Sequence, residues 1–186
     1  MTARLITGPA AQREAITQLR AAGRSFRVPH HSCSTRTIVG ALLSRTTDNA
    51  REQDLVLQPG ELTLATGGVL MLTDVAEWSI DTLLAVGLAV KHGRAVVVAR
   101  TSKNVARLEV PVMCDLVATS PSCPCNASAG TWSCSCTTPM KARWSKRIED
   151  AMLALSGVDP RLEREPYDPA EARGYGGRPG RVHTGD

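Results

Sequence analysis

Two rhythms of apolar residues divide the chain. Arg4-Leu5-Ile6-Thr7 is a short apolar run that stops at Gly8-Pro9, and it predicts a strand and a turn. Ala10 to Ala22 then carries Ile16 and Leu19 on one helical face, with Gly23 as its stop. No period holds across residues 24–60, which read as irregular, with a polar stretch from Ser44 to Gln53. Val69-Leu70-Met71-Leu72, after Gly67-Gly68, has no polar side and predicts a strand buried on both faces. Ser79 caps a predicted helix, Ile80 to Lys91, which ends at Gly93. Arg94 to Arg100 and Val105 to Val110 are β-rich runs, and Ser102-Lys103-Asn104 between them predicts a hairpin. Met113 to Thr119 reads as one more strand. Thr138-Pro139 opens a helix with Met140, Trp144, Ile148 and Met152 at helical spacing, closing near Gly157. Past that point the period is lost, and residues 160–186 hold four prolines and five glycines. The expected organisation is one α/β domain over 1–158 and a disordered tail over 159–186.

Composition adds limits. The 186 residues make room for one medium domain, and the core must be aliphatic, because aromatics are only 3% of a chain that is 42% hydrophobic. The net charge of +4 does not by itself argue for nucleic acid. No apolar run is long enough to span a membrane, and the start of the chain lacks the pattern of a secretory leader. The expected compartment is the cytoplasm, where clustered cysteines are metal ligands before they are disulfides.

The first candidate chemistry sits at the opening strand, turn and helix. A working phosphate loop has the form G-x-x-x-x-G-K-[ST]: glycines open the backbone to phosphate, lysine neutralises it, and a hydroxyl holds magnesium. Here the first glycine is Gly8, but the second glycine position is Arg13, the lysine position Glu14 and the hydroxyl position Ala15. At ~4 Å and an effective dielectric of ~20, one charge contact is worth about 4 kcal/mol. Exchanging Lys for Glu reverses the sign of that contact.

The second candidate is Cys123-x-Cys125 with Cys134-x-Cys136. Four thiolates on a short loop can close a tetrahedral zinc site, structural because no coordination position stays open. Loop cysteines or a redox pair are the alternative, and structural zinc on Cys123, Cys125, Cys134 and Cys136 is the expectation. Cys33 and Cys114 stand apart, Cys114 as a core residue. Ser32 and Ser34 have no nucleophile-elbow context, and metal binding by His30-His31 alone is not expected. Lys141, Arg143, Lys146 and Arg147, with Arg94, Arg100, Lys103 and Arg107 near the hairpin, make a basic surface that is either a solvated face or a nucleic-acid contact. Trp144 belongs to the apolar stripe.

Three segments carry a family resemblance. Arg24-Ser25-Phe26-Arg27-Val28-Pro29-His30-His31-Ser32 resembles the R-P-F-R-x-P-H-H-[ST] segment of magnesium-chelatase-type AAA+ ATPases, a group that includes competence-associated helicases. Residues 59–72, Pro-Gly-Glu-Leu-Thr-Leu-Ala-Thr-Gly-Gly-Val-Leu-Met-Leu, are similar to its P-G-E-[IL]-[ST]-L-A-H-x-G-V-L-F-L. Leu116-Val117-Ala118, Cys123-Pro124-Cys125 and Cys134-Ser135-Cys136-Thr137 are similar to its L-V-A-A-M-N-P-C-P-C-G…C-x-C-T. The resemblance is collinear over about 4–157. It implies a mostly parallel sheet with flanking helices, a hairpin insertion and a retained cysteine cluster, without the helical lid. It also implies a nucleotide site with its chemistry removed. The Asp-Glu pair that should hold magnesium and polarise water falls at Thr73 and Asp74, the sensor Asn at Pro121, and the Leu-Leu-Asp-Arg segment at Met152-Leu153-Ala154-Leu155. ATP and magnesium binding are therefore not expected. The expected role is a non-catalytic binding or regulatory subunit whose partner is a protein, such as an active AAA+ ring subunit. Two rival readings are a weak ATPase using Asp74 and a zinc-stabilised nucleic-acid-binding module.

Overall fold

The computed structural model describes residues 3–8, 10–46, 53–100, 105–125 and 134–161. Four strands form the central sheet: β1 (Ala3–Thr7), β2 (Phe26–Arg27), β5 (Val69–Leu72) and β8 (Asp115–Ser120). Their order is β1-β8-β5-β2 and every pairing is parallel. The two central strands, β5 and β8, carry the strongest apolar runs, because a central parallel strand is covered on both faces.

Alternation along β5 divides the core. Leu70 and Leu72 join Leu116 and Ala118 of β8 under α4 (Ile80–His92) and α5 (Thr138–Leu155), with Leu83, Val86, Ala151, Ala154 and Leu155. Val69 and Met71 turn the other way, onto Ala15 and Leu19 of α1 (Ala11–Ala21). Leu70, Leu72, Val69 and Met71 are all 0% exposed. Full burial of such a side chain stabilises by roughly 1.5–3 kcal/mol, so these four residues anchor three layers. Ser79 and Gly93 cap α4 as its sequence predicts: Ser79 accepts the Thr82 N–H, and Gly93 closes in the left-handed region at φ 66°. Contact between α4 and α5 is close enough to require Gly87, where a Cβ would lie 2.3 Å from the Ala154 carbonyl oxygen.

The region read as irregular holds structure. After β2, Ser34 caps α2 (Thr35–Val39), and a hairpin follows, β3 (Gly40–Thr46) with β4 (Gln53–Pro59), ahead of α3 (Glu61–Leu64). The expected hairpin is a second one, β6 (Arg94–Arg100) with β7 (Val105–Pro111). So the fold carries two hairpins where one was expected. Their inner faces meet at Leu42, Val97 and Val110, which is what stabilises a first hairpin made of a short apolar segment and polar ends. The turn predicted at Ser102-Lys103-Asn104 lies outside the described residues.

Trp144 is buried, as the helical stripe requires, but Met140 is 46% exposed and leaves the stripe. The boundary placed at 159 falls inside described chain: Pro160 is buried, and Arg161 pairs with Asp81 at 2.8 Å. Residues 162–186 of the expected tail lie outside the described residues. Among the described residues no helix is long and apolar enough to cross a membrane.

Candidate functional site

A cleft of about 310 Å³ opens at the C-terminal edge of the parallel sheet, the place where open α/β sheets hold ligands. It lies between the first turn of α1 and the exits of β5 and β8, and Gly8, Gln12, Arg13, Asp74, Thr119, Ser120 and Pro121 line it. Gly8, at φ 131°, donates its N–H to the Ser120 carbonyl at 3.1 Å, which ties the turn before α1 to the end of β8. Helix α1 starts at Ala11, with no side-chain cap from Ala10; the Ala11 N–H donates to the Gly8 carbonyl at 3.2 Å, and the positive end of the helix dipole lies at the cleft.

Of the positions that the family pattern places in the nucleotide site, the structure brings Gly8, Arg13, Asp74 and Pro121 together. Three others lie elsewhere. Glu14 does not line the cleft; its carboxylate accepts the Gln18 Nε2–H at 2.9 Å, one turn along α1. Ala15 is 1% exposed and packs under α1 on Val69 and Met71. Thr73 is buried, and its carbonyl accepts the Trp78 indole N–H at 2.9 Å. Asp74 takes φ 52° and ψ 52°, the one positive φ outside glycine among the described residues. A left-handed aspartate is held there by its surroundings, and such strain concentrates at functional positions.

Sequence reasoning missed Thr119. It sits on the cleft side of β8, 1% exposed, and its Oγ1 is buried with no hydrogen-bond partner. Nothing in the sequence marks it, since a threonine inside a strand is ordinary.

The second site lies beyond β8. The Sγ atoms of Cys123, Cys125, Cys134 and Cys136 all lie within 4.8 Å of one another. Cys123 to Cys125 is 3.0 Å, and Cys134 is 3.6 Å from each of them. A tetrahedral ion with ~2.3 Å bonds to sulfur sets its ligands about 3.8 Å apart, so the four thiols fit a metal. Cys134 is held at a pKa of about 7, first by the Cys136 backbone N–H and then by the Cys123 and Cys125 side chains. Among the described residues this is the single group of three or more potential ligands close enough to hold an ion. His30 and His31 stand elsewhere, their rings 4.1 Å apart and His30 Nδ1 bonded to Ser32 Oγ at 2.8 Å. Cys114 is buried, and its thiol is pushed up to about 11 by burial and then by Asp115.

The two sites share a seam. Trp144 of α5 donates its indole N–H to the Pro121 carbonyl at 2.9 Å, two residues before Cys123. The basic residues of α5 and of the second hairpin are partly paired: Lys146 with Asp150 at 3.2 Å, Arg147 with Glu77 at 3.7 Å, and both Arg94 and Arg107 with Glu109 at 3.2 Å.

The sequence profile described as "Magnesium chelatase, subunit ChlI" matches residues 6–164. A competence protein, ComM of Haemophilus influenzae, is 31% identical over 108 residues, which is 58% of this chain and 18% of that relative's length. The matched stretch thus spans less than a fifth of that relative. With the parallel sheet, the cleft at its edge and a profile match over most of the chain, the protein belongs to the magnesium chelatase ChlI-subunit family, a P-loop AAA+-type α/β fold.

Proposed function

We propose that this chain is a non-catalytic member of its family, a pseudo-ATPase that acts as a binding or regulatory subunit on a protein partner such as an active AAA+ ring subunit. The observation that carries this reading is the contrast between the shell and the cleft. The sheet and its two covering layers are intact, with β5 fully buried. Around the cleft, the lysine position is a glutamate turned to Gln18, the magnesium hydroxyl position is a buried alanine, and the Asp-Glu pair is reduced to Asp74. These residues do not fit a magnesium nucleotide. No cation sits at the lysine position, and one carboxylate stands where two would share the metal and the water. No catalytic step is assigned to any residue.

The four cysteines would hold zinc in a closed, structural site, and the metal would supply a cross-link between the exit of β8 and the start of α5. A cytoplasmic location suits clustered thiols kept reduced for metal. The weak-ATPase reading rests on Asp74 alone. The nucleic-acid reading rests on Lys141 and Arg143, the exposed basic residues of α5 for which no ion pair is seen among the described residues.

The test is a thermal-shift titration with Mg-ATP and Mg-ADP on the purified chain, with zinc measured in the same sample. No shift at millimolar nucleotide and about one zinc per chain is the expected result. A saturable shift of several degrees with Mg-ATP would overturn the pseudo-ATPase reading.

A further inference from the structure

We infer that the outer edge of β1 is a docking site for an extended, aliphatic segment of a partner protein that carries a carboxylate, taken up as one more strand of the central sheet. The inference rests on the proposed reading that this chain binds a protein, and it names the mode of binding. The sheet has two edges, and they differ. β2 is two residues long, too short to template a further strand. β1 runs five residues, Ala3–Thr7, without proline, and its register with β8 advances one residue at a time from Ala3↔Leu116 to Thr7↔Ser120, with no bulge. Among the described residues no strand pairs with its other side. The Gly8 N–H points to β8, where it donates to the Ser120 carbonyl. Backbone groups alternate in direction along a strand, so the N–H and C=O of Leu5 and of Thr7 point away from β8, along the open edge.

The side chains leave the same edge incomplete. Leu5 packs toward the layer of α4 and α5 and Ile6 toward α1, yet both stay half-buried, whereas all four residues of β5 are buried. On the α1 side, Arg4 and Ile6 line a cavity of about 210 Å³ with Ala15, Leu19 and Val117, next to where the side chains of an added strand would stand. Main-chain bonds joined to a pocket for alternate side chains are how sheet edges take up peptides. Charge chooses the segment. Arg4 is exposed, and its hydrogen-bond partner is the neutral Gln18, so a carboxylate on the added strand completes it. The same charge argues against a second copy of this chain: two β1 edges paired antiparallel about Leu5 would bring both Arg4 guanidinium groups to one face. Residues 162–186 fit poorly as well, because no five of them in a row are free of proline and glycine.

The probe is a short, soluble, fluorescein-labelled peptide with a Glu-Val-Ile-Val core, titrated into the full chain and followed by anisotropy beside the same peptide with Lys in place of Glu. Saturable binding of the Glu peptide at roughly 100 µM is expected, with the Lys peptide at least roughly threefold weaker. N-methylation of one alternate set of peptide amides should abolish binding, and methylation of the other set should spare it. Hydrogen exchange at the Leu5 and Thr7 amides should slow when the peptide binds. Thr7→Pro removes an outward N–H at an exposed position and leaves the ladder to β8 in place, so it should weaken the peptide roughly tenfold. Arg4→Glu should turn the preference to the Lys peptide. Urea melts show that each variant is folded. Four results would overturn the inference: no binding at millimolar peptide, binding indifferent to N-methylation or to both variants, Leu5 and Thr7 amides already protected in the free chain, or a dimer in sedimentation that Thr7→Pro dissociates. The proposed function fails on a different result, Mg-ATP binding, and stands if only the peptide fails.

Discussion

Thr119→Val should make the protein more stable. Threonine and valine have nearly the same shape, so the substitution exchanges a hydroxyl for a methyl at a position 1% exposed. In the ligand-free protein that hydroxyl has no partner. Burying it without a hydrogen bond costs about 1–3 kcal/mol, and the unfolded chain solvates it fully. Removing it should therefore raise the unfolding free energy by about 1–3 kcal/mol. For a chain of this size each kcal/mol moves the midpoint by roughly 2–4 °C, so the melt should rise by at least about 2 °C. The assay is urea denaturation backed by calorimetry. A loss of about 1 kcal/mol or more would refute the reasoning, because it would mean that the hydroxyl has a partner in the folded state.

Other outcomes follow from features already described. Gly87→Ala places a methyl 2.3 Å from a backbone oxygen of α5 that cannot move aside alone, so it should cost roughly 3 kcal/mol or more and be read as a large fall in the urea midpoint. Cys123→Ser should abolish the expected zinc, measured by metal analysis, and lower the melting temperature; unchanged metal content would show that the four thiols are not the ligands. Cys114 offers a pH test. Its pKa is about 11 in the folded chain against 9.0 for an ordinary thiol, so the unfolded chain loses the proton first as pH rises. Stability from this group is full below about pH 9.0 and falls between 9.0 and 11. Comparison of unfolding free energies with Cys114→Ala across that window isolates the effect, and parallel curves would contradict it.

The centre of the sheet was legible from sequence because Val69–Leu72 has no polar side to present and must be covered on both faces, whereas β2, the two residues Phe26–Arg27, is too short to show a period. The three long helices were legible from period and caps, Ser79 and Gly93 above all, while the short α2 and α3 were not. The first hairpin was not. Gly40–Thr46 pairs with Gln53–Pro59 through ends rich in Ser, Arg, Gln and Asp, and what makes those strands is Leu42 meeting Val97 and Val110 from a hairpin some fifty residues downstream. Local pattern carries no trace of that contact. The candidate cleft shows the same division. Family motifs point to Gly8, Arg13 and Asp74, and the fold does gather them. Motif spacing also points to Glu14, but one helical step turns its carboxylate to Gln18 and hands the cleft to Arg13. Thr119 had no signal to find, because an orphaned hydroxyl exists only once three elements have closed around it.

The two indoles that hold backbone carbonyls have a practical consequence. Trp78 is bonded to Thr73 at the exit of β5, and Trp144 to Pro121 at the exit of β8, so each strand end beside the cleft has its own buried fluorophore. The third tryptophan, Trp132, falls in sequence between the two cysteine pairs. Three single-tryptophan variants would therefore each report one place: one side of the cleft, the other side, or the cysteine loop. Events at the cleft and metal loading could be followed in parallel samples, without a label.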